Sequence, residues 1–104
     1  MGYSTLFDLS GKTALVTGAR KGIGFAMASA LAEFGADIIA VSSQQSPEDE
    51  LAKIVKGHGR KFESFAVDLR NRDETKSLIS KVVDRPIDIL VNNAGLANRA
   101  VVLE

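Results

Sequence analysis

The sequence predicts an α/β protein, a doubly wound parallel sheet with strand order 3-2-1-4. Three observations lead there. Short apolar runs and helix-period segments alternate as β-α-β-α-β-α-β with short links, the pattern of a parallel sheet covered on both faces. The first run empties into a glycine-rich turn inside which a helix begins, and the fourth closes on Asn-Asn-Ala-Gly. Right-handed crossovers on such a chain place the first and fourth strands side by side.

Each element has its own signal. Lys12 to Thr17 (KTALVT) is a short apolar run of the kind buried on both faces. From Ile23 to Phe34 the residues Ile23, Ala26, Met27, Ala30, Leu31 and Phe34 recur at helical spacing, and Gly35 follows where a C-terminal cap belongs. Asp37 to Val41 (DIIAV) is a second strand. Ser46-Pro47-Glu48 reads as an N-cap, a first-turn proline and an acidic residue suited to the helix dipole. The helix it opens turns Leu51, Ile54 and Val55 inward and stops at Gly57. Phe62 to Val67 is the third strand. Asp73 to about Val83 is a helix burying Leu78, Ile79, Val82 and Val83, and Ile87 to Val91 is the fourth strand.

Composition narrows the function. A chain of 104 residues holds one domain, 1–104, and its 45% hydrophobic and 25% charged shares are those of a globular protein. Thirteen basic and thirteen acidic residues cancel, which points away from nucleic acid and from anionic membrane as partners. Without cysteine the segment has no disulfide, thiolate metal site or thiol nucleophile, and no metal site is expected. No secretory signal or membrane-length apolar run is visible, so a cytoplasmic location is expected.

The chemistry gathers at the carboxyl ends of the strands. Thr17-Gly18-Ala19-Arg20-Lys21-Gly22-Ile23-Gly24 joins strand one to its helix. Gly18 permits the tight turn, Gly22 lets backbone approach a pyrophosphate, and Gly24 lets the helix pack closely on the sheet, with helix N–H groups facing the phosphates. Three glycines also serve in a plain strand-to-helix turn, and the Gly-Lys-Ser/Thr of a P-loop is absent. Asn92-Asn93-Ala94-Gly95 closes strand four, and the predicted strand order brings it to the same crevice. Taken alone it is a turn after a strand.

Together, Thr-Gly-xxx-Gly-Ile-Gly at 17–24 and Asn-Asn-Ala-Gly at 92–95 resemble the short-chain dehydrogenases/reductases, over nearly the whole chain from Leu9-Ser10-Gly11-Lys12 to the Ile87–Val91 strand. The resemblance implies a Rossmann fold that stops after its fourth strand, and the nicotinamide-dinucleotide-binding part of an alcohol/carbonyl oxidoreductase. A non-catalytic nucleotide-binding or regulatory module is the alternative. It further implies that Gly18, Gly22, Ile23 and Gly24 form the phosphate turn and that Asn92 and Ala94 border the adenosine ribose, with Gly95 also among the cofactor-binding residues. Asp68 would hydrogen-bond the adenine with Leu69 packed beside it; an N-cap for the third helix is the other use of an aspartate there. Relatives of this type are homo-oligomers, usually tetramers, acting on small alcohols or carbonyls. The Phe7-to-Lys12 stretch and Asn-Asn-Ala-Gly-Leu are similar to sugar-acid dehydrogenases of the family, such as gluconate 5-dehydrogenases and 2-deoxy-gluconate 3-dehydrogenases, and also to 3-oxoacyl carrier-protein reductases.

Such enzymes use a serine and a Tyr-x-x-x-Lys pair for proton transfer. The single tyrosine here is Tyr3, with Phe7 four residues on. No catalytic residue is assigned, and the segment alone is expected to be inactive. The expected edge of strand four is unpaired, leaving Ile87, Ile89 and Val91 uncovered and the segment marginal and self-associating. For the cofactor, the resemblance puts Ser42 where NAD enzymes carry an acid, which favours NADP over NAD. Lys21 then meets the 2′-phosphate with help from the hydroxyls of Ser42 and Ser43, although Ser43 stands where many NADP enzymes have a second arginine. Arg20 is counted among the cofactor-binding residues of the turn, and both Lys21 and Arg20 have solvated readings too. His58 between two glycines and the Arg70–Asp73 run read as solvated loop residues, and Asn98 and Arg99 as loop residues within reach of a substrate.

Overall fold

The computed structural model describes residues 8–93 and the backbone of residues 99–102. Strands β1 (Thr13–Thr17), β2 (Asp37–Ser42), β3 (Phe62–Ala66) and β4 (Ile89–Asn92) are parallel, in the order β3-β2-β1-β4. Helices α1 (Gly22–Glu33), α2 (Glu50–Gly57) and α3 (Arg72–Val82) make the crossovers. A fifth strand, β5 (Arg99–Val102), runs antiparallel beside β4 with Arg99 opposite Asn92. The outer edge of β4 is therefore paired, which corrects the expectation of an open edge. Ala100-Val101-Val102 is too short an apolar run to tell strand from helix by period, and the two valines suit a strand.

Both faces of the sheet are buried, which explains the unbroken apolar runs. Ala14 and Val16 of β1, Ile38 and Ala40 of β2, and Ile89 and Val91 of β4 point to one face, under α1 and α2. Leu15, Ile39 and Val41 point to the other, under Leu78 and Val82 of α3. Far from lying uncovered, Ile89 and Val91 belong to the first core; Ile87 packs half-buried against the second.

The helices contact the sheet by narrower stripes than their apolar periodicity predicts. On α1 the buried residues are Gly24, Ala28 and Ala32. Ile23, Ala26 and Ala30 are exposed instead of inward. Small residues four apart bring the α1 backbone close to the strands, and their lack of bulk hid them from a hydrophobicity reading. On α3, Ile79 and Val83 are likewise exposed while Leu78 and Val82 are buried.

Local side chains set the element ends. The N-cap of α2 is Asp49, not Ser46. Its Oδ1 accepts the Ala52 N–H at 3.0 Å, and its Oδ2 accepts the Ser46 N–H at 3.2 Å and the Gln45 Nε2–H at 2.6 Å. A carboxylate able to serve three donors outcompetes a hydroxyl, so Pro47 falls in the preceding turn. The fourth strand starts at Ile89 because the Asp88 side chain takes the Thr13 N–H at 2.9 Å in place of a backbone carbonyl.

Replacing the cap tests this assignment. Asp49→Ala is expected to lower the stability of the natural protein by about 1–2 kcal/mol in urea unfolding, and Ser46→Ala by less than about 0.5 kcal/mol.

Candidate functional site

The strand order reverses between β1 and β4, and a crevice opens there at the carboxyl ends of the strands. Its floor is built around Thr17. The Asn93 N–H donates to Thr17 Oγ1 at 2.9 Å, and that hydroxyl lies 3.1 Å from Asn92 Oδ1 and 3.4 Å from the Val91 carbonyl, either of which can take its proton. Asn93 Nδ2 also donates to the Gly18 carbonyl at 3.4 Å. The two sequence motifs are thus hydrogen-bonded to each other.

The glycine turn follows. The Gly18 N–H continues the β1–β2 pairing to the Val41 carbonyl at 2.7 Å. Gly18 and Gly22 sit at φ of +63° and +67°, a left-handed conformation that L side chains resist. Gly24 answers a different demand, because a Cβ there would lie 2.1 Å from the Gly18 oxygen and 2.7 Å from Asn93 Nδ2. Lys21 occupies the N-cap position of α1 and offers no acceptor, and no acidic residue stands in the first turn. By contrast α2 and α3 open with Asp49 and Asn71 as caps and with acidic first turns. The N-terminus of α1 is left as a donor surface for an anion.

Two adjoining hollows run along the crevice. One, of about 370 Å³, is lined by Gly18, Ser42, Ser43, Val67, Asp68, Leu69 and Arg70. The other, of about 390 Å³, is lined by Gly18, Arg20, Lys21, Ser42, Ser43, Gln44 and Asn93. Ser42 Oγ is buried with no hydrogen-bond partner among the described residues. A larger hollow of about 650 Å³ lies at the amino ends of β1–β3, away from the switch point, beside the Glu63–Arg85 ion pair.

Asp68 does not cap α3. That role belongs to Asn71, whose Oδ1 accepts the Glu74 N–H at 3.1 Å. Asp68 Oδ1 instead accepts from Arg70 Nε at 3.1 Å and from the Arg70 N–H at 3.0 Å, while the Asp68 N–H donates to Glu74 Oε1 at 3.0 Å. The Arg70 guanidinium, then the Arg70 backbone N–H, hold the Asp68 carboxyl below the usual aspartate range.

The structure therefore brings Gly18, Arg20, Lys21, Ser42, Ser43, Asp68 and Leu69 around one crevice, with Gly22, Ile23 and Gly24 forming the helix start at its rim and Asn92 at the end of β4. Ala94, Gly95 and Asn98 lie outside the described residues. Asparagine amides in the second motif suit the pinning of neighbouring backbone, as Asn93 does at Gly18; sequence reading missed Thr17 as the link, Gln44 beside Arg20, and Arg70 on Asp68, and the only signal for the last was its place two residues after the aspartate. His58 is exposed and ends α2, its N–H donating to the Ile54 and Val55 carbonyls. Among the described residues no group of three His, Asp or Glu stands where it would hold a metal ion, and no helix is long and apolar enough to cross a membrane.

A parallel α/β sheet with a glycine turn at its switch point defines a nucleotide-binding class of protein. Within that class the chain belongs to the short chain dehydrogenase family, whose model matches residues 12–104. It is 48% identical over 97 residues to the 2-dehydro-3-deoxy-D-gluconate 5-dehydrogenase of Pseudoalteromonas atlantica, an alignment covering 90% of this chain and 38% of that protein. The 3-oxoacyl (acyl-carrier-protein) reductase of Agrobacterium tumefaciens with NADP bound superposes with a TM-score of 0.76 at 36% identity, over 88% of this chain and 36% of its own. Carveol dehydrogenase of Mycobacterium avium in complex with NAD gives 0.71 at 32% identity, over 88% and 38%. The chain thus spans about two fifths of the length of the curated relative it matches.

Two measurements check the site. Gly24→Ala must displace backbone, so a loss of about 3 kcal/mol or more, or failure to fold, is expected where a typical overpacking change costs about 1–3 kcal/mol. Carbon-13 NMR of Asp68 should show its carboxyl titrating below the usual aspartate range, and Arg70→Ala should return it toward that range. The sign follows from linkage: a depressed carboxyl favours the fold above its unfolded-state value, and the contribution fades as pH falls through the folded-state value.

Proposed function

We propose that this chain is the dinucleotide-holding part of an alcohol/carbonyl oxidoreductase, with NADP preferred to NAD. The observation that carries the reading is the stitched crevice, in which Thr17 and Asn93 fix the end of β4 against the Gly18 turn and Gly24 leaves the α1 N-terminus open beside it. The residues present fit such a cofactor. The first-turn N–H groups of α1 suit the pyrophosphate, the Asp68–Leu69 hollow suits the adenine, and the orphaned Ser42 Oγ suits a group on the adenosine ribose. When bound, the nicotinamide supplies hydride acceptance or donation. This chain's own residues bind and orient, and none of them is assigned to proton transfer.

The preference for NADP rests on the end of β2. A carboxylate there would bond both ribose hydroxyls and repel a 2′-phosphate; Ser42 does neither, and Lys21 lines the same hollow. The structural neighbours carry one cofactor each, NADP and NAD, so the choice falls to these side chains. The likeness to a 2-dehydro-3-deoxy-D-gluconate 5-dehydrogenase supports a sugar-acid substrate for the whole protein, in a cytoplasmic enzyme assembled from identical subunits.

Calorimetric titration of the natural protein with both cofactors tests the reading. NADP should bind more tightly than NAD. Ser42→Asp should move the preference toward NAD through charge repulsion, and Lys21→Ala should weaken NADP about tenfold or more, the worth of one charge-assisted contact. A natural protein that prefers NAD, or equal losses for both cofactors in Lys21→Ala, would contradict it.

A further inference from the structure

At the far end of the sheet from the glycine turn, the hollow of about 650 Å³ at the amino ends of β1–β3 has the size of a small-molecule site. Its wall includes Ile38, Phe62 and Pro86, with Phe62 half-buried against the first core. Around them stand four cations, Lys56, Arg60, Lys61 and Arg85, and two acids, Asp37 and Glu63. The Glu63 carboxylate is taken up by Arg85, which engages both of its oxygens. Asp37 Oδ1 accepts the Lys61 backbone N–H at 2.9 Å. With the Glu63–Arg85 pair set aside, three cations at the end of α2 and in its link to β3 stand against one acid.

Arg60 is the fixed point of this group. It is half-buried, and its Nη1 donates to the Gly35 carbonyl at 3.3 Å across 25 residues of sequence. A carbonyl orients a guanidinium without cancelling its charge, so the remaining donors keep their attraction for an anion. Lys56 and Lys61 are exposed and have no ion pair among the described residues. Lys56 also complements the dipole at the end of α2, a duty Lys61 does not share. Arg60 lines a neighbouring hollow with Asp8 and Glu33 as well. There the Asp8 carboxylate is turned to Ser10, whose N–H it accepts at 2.9 Å, and Glu33 is exposed. A hydroxylated anion would satisfy the cations but gain nothing from the apolar wall. We infer that this hollow is a second ligand site, for a small carboxylate with an apolar, ring-sized body. Arg60 and the flanking ammoniums hold the carboxylate, and the wall takes the body.

The probes are 2-naphthoate, its uncharged amide and gluconate, titrated calorimetrically into the natural protein and followed by amide NMR. Naphthoate should bind with a Kd of about 1 mM or below. It should shift the amides of Lys56, Arg60 to Glu63 and Arg85, and not those of Gly18 to Gly24. The amide and gluconate should each bind about tenfold or more weakly, one for want of charge and the other for want of an apolar body. Arg60→Gln should weaken naphthoate about tenfold. Because that change also removes the bond to Gly35, the exposed double variant Lys56→Gln/Lys61→Gln repeats the test away from the packed structure, and its loss should shrink as salt rises. Naphthoate that does not bind, that shifts the crevice amides instead, or that binds no better than its amide or gluconate overturns the inference, as does an unchanged affinity in either variant. The dinucleotide reading concerns the opposite end of the sheet and stands apart from each of these outcomes.

Discussion

Between the Gly18 carbonyl and the α-carbon of Gly24 there is no room for a methyl group, and that contact governs the functional end of the molecule. It sets how closely α1 can approach the sheet, and so where the first-turn N–H groups point. Ala28 and Ala32 continue the approach along the helix, and buried Ala19 folds the turn inward. Asn93 packs against the same place and donates to the Gly18 carbonyl, while Thr17 ties the Asn93 backbone to β1. The turn is held from two sides, by α1 and by the end of β4.

The electrostatics of the crevice are arranged by what is missing as much as by what is present. At α1 the usual acidic helix start is absent, whereas α2 and α3 both have one. At the end of β2 there are serines and glutamines. The next acid after β2, Glu48, lies in the turn before α2, and Asp49 is spent on capping that helix. Asp68, the carboxylate that does reach the crevice, is paired with Arg70. The result is a polar groove whose mobile charges beside the glycine turn are positive.

Much of this was legible in the sequence because it depends on periodicity and on glycine. The parallel strands, their order and the convergence of the two motifs follow from unbroken apolar runs and from positions where only glycine fits. The misreadings have a common cause. Ile23, Ile79 and Val83 are apolar yet exposed, and Gly24 and Ala28 are buried yet carry little hydrophobic signal, so a reading by hydropathy rotates both α1 and α3 away from their true faces. Ser46 lost its cap role to Asp49 because three donors converge on one carboxylate, which only the folded turn reveals. The antiparallel β5 was hidden by the shortness of its apolar run. Gln44, which Arg20 meets at 3.4 Å, gave no signal in the sequence because a strand, a helix and two turns separate the two residues.

The central claim is that the stitched turn and the β2 end receive a dinucleotide, with the pyrophosphate at the start of α1 and the adenosine ribose at Ser42. A crystal structure of the natural protein with NADP bound tests it most directly. The account predicts pyrophosphate oxygens within hydrogen-bonding distance of backbone N–H groups between Gly18 and Gly24, the adenine between Leu69 and the glycine turn, and the 2′-phosphate within about 3 Å of the Ser42 hydroxyl. A cofactor bound elsewhere, or bound here with its pyrophosphate away from the α1 N-terminus, would contradict it.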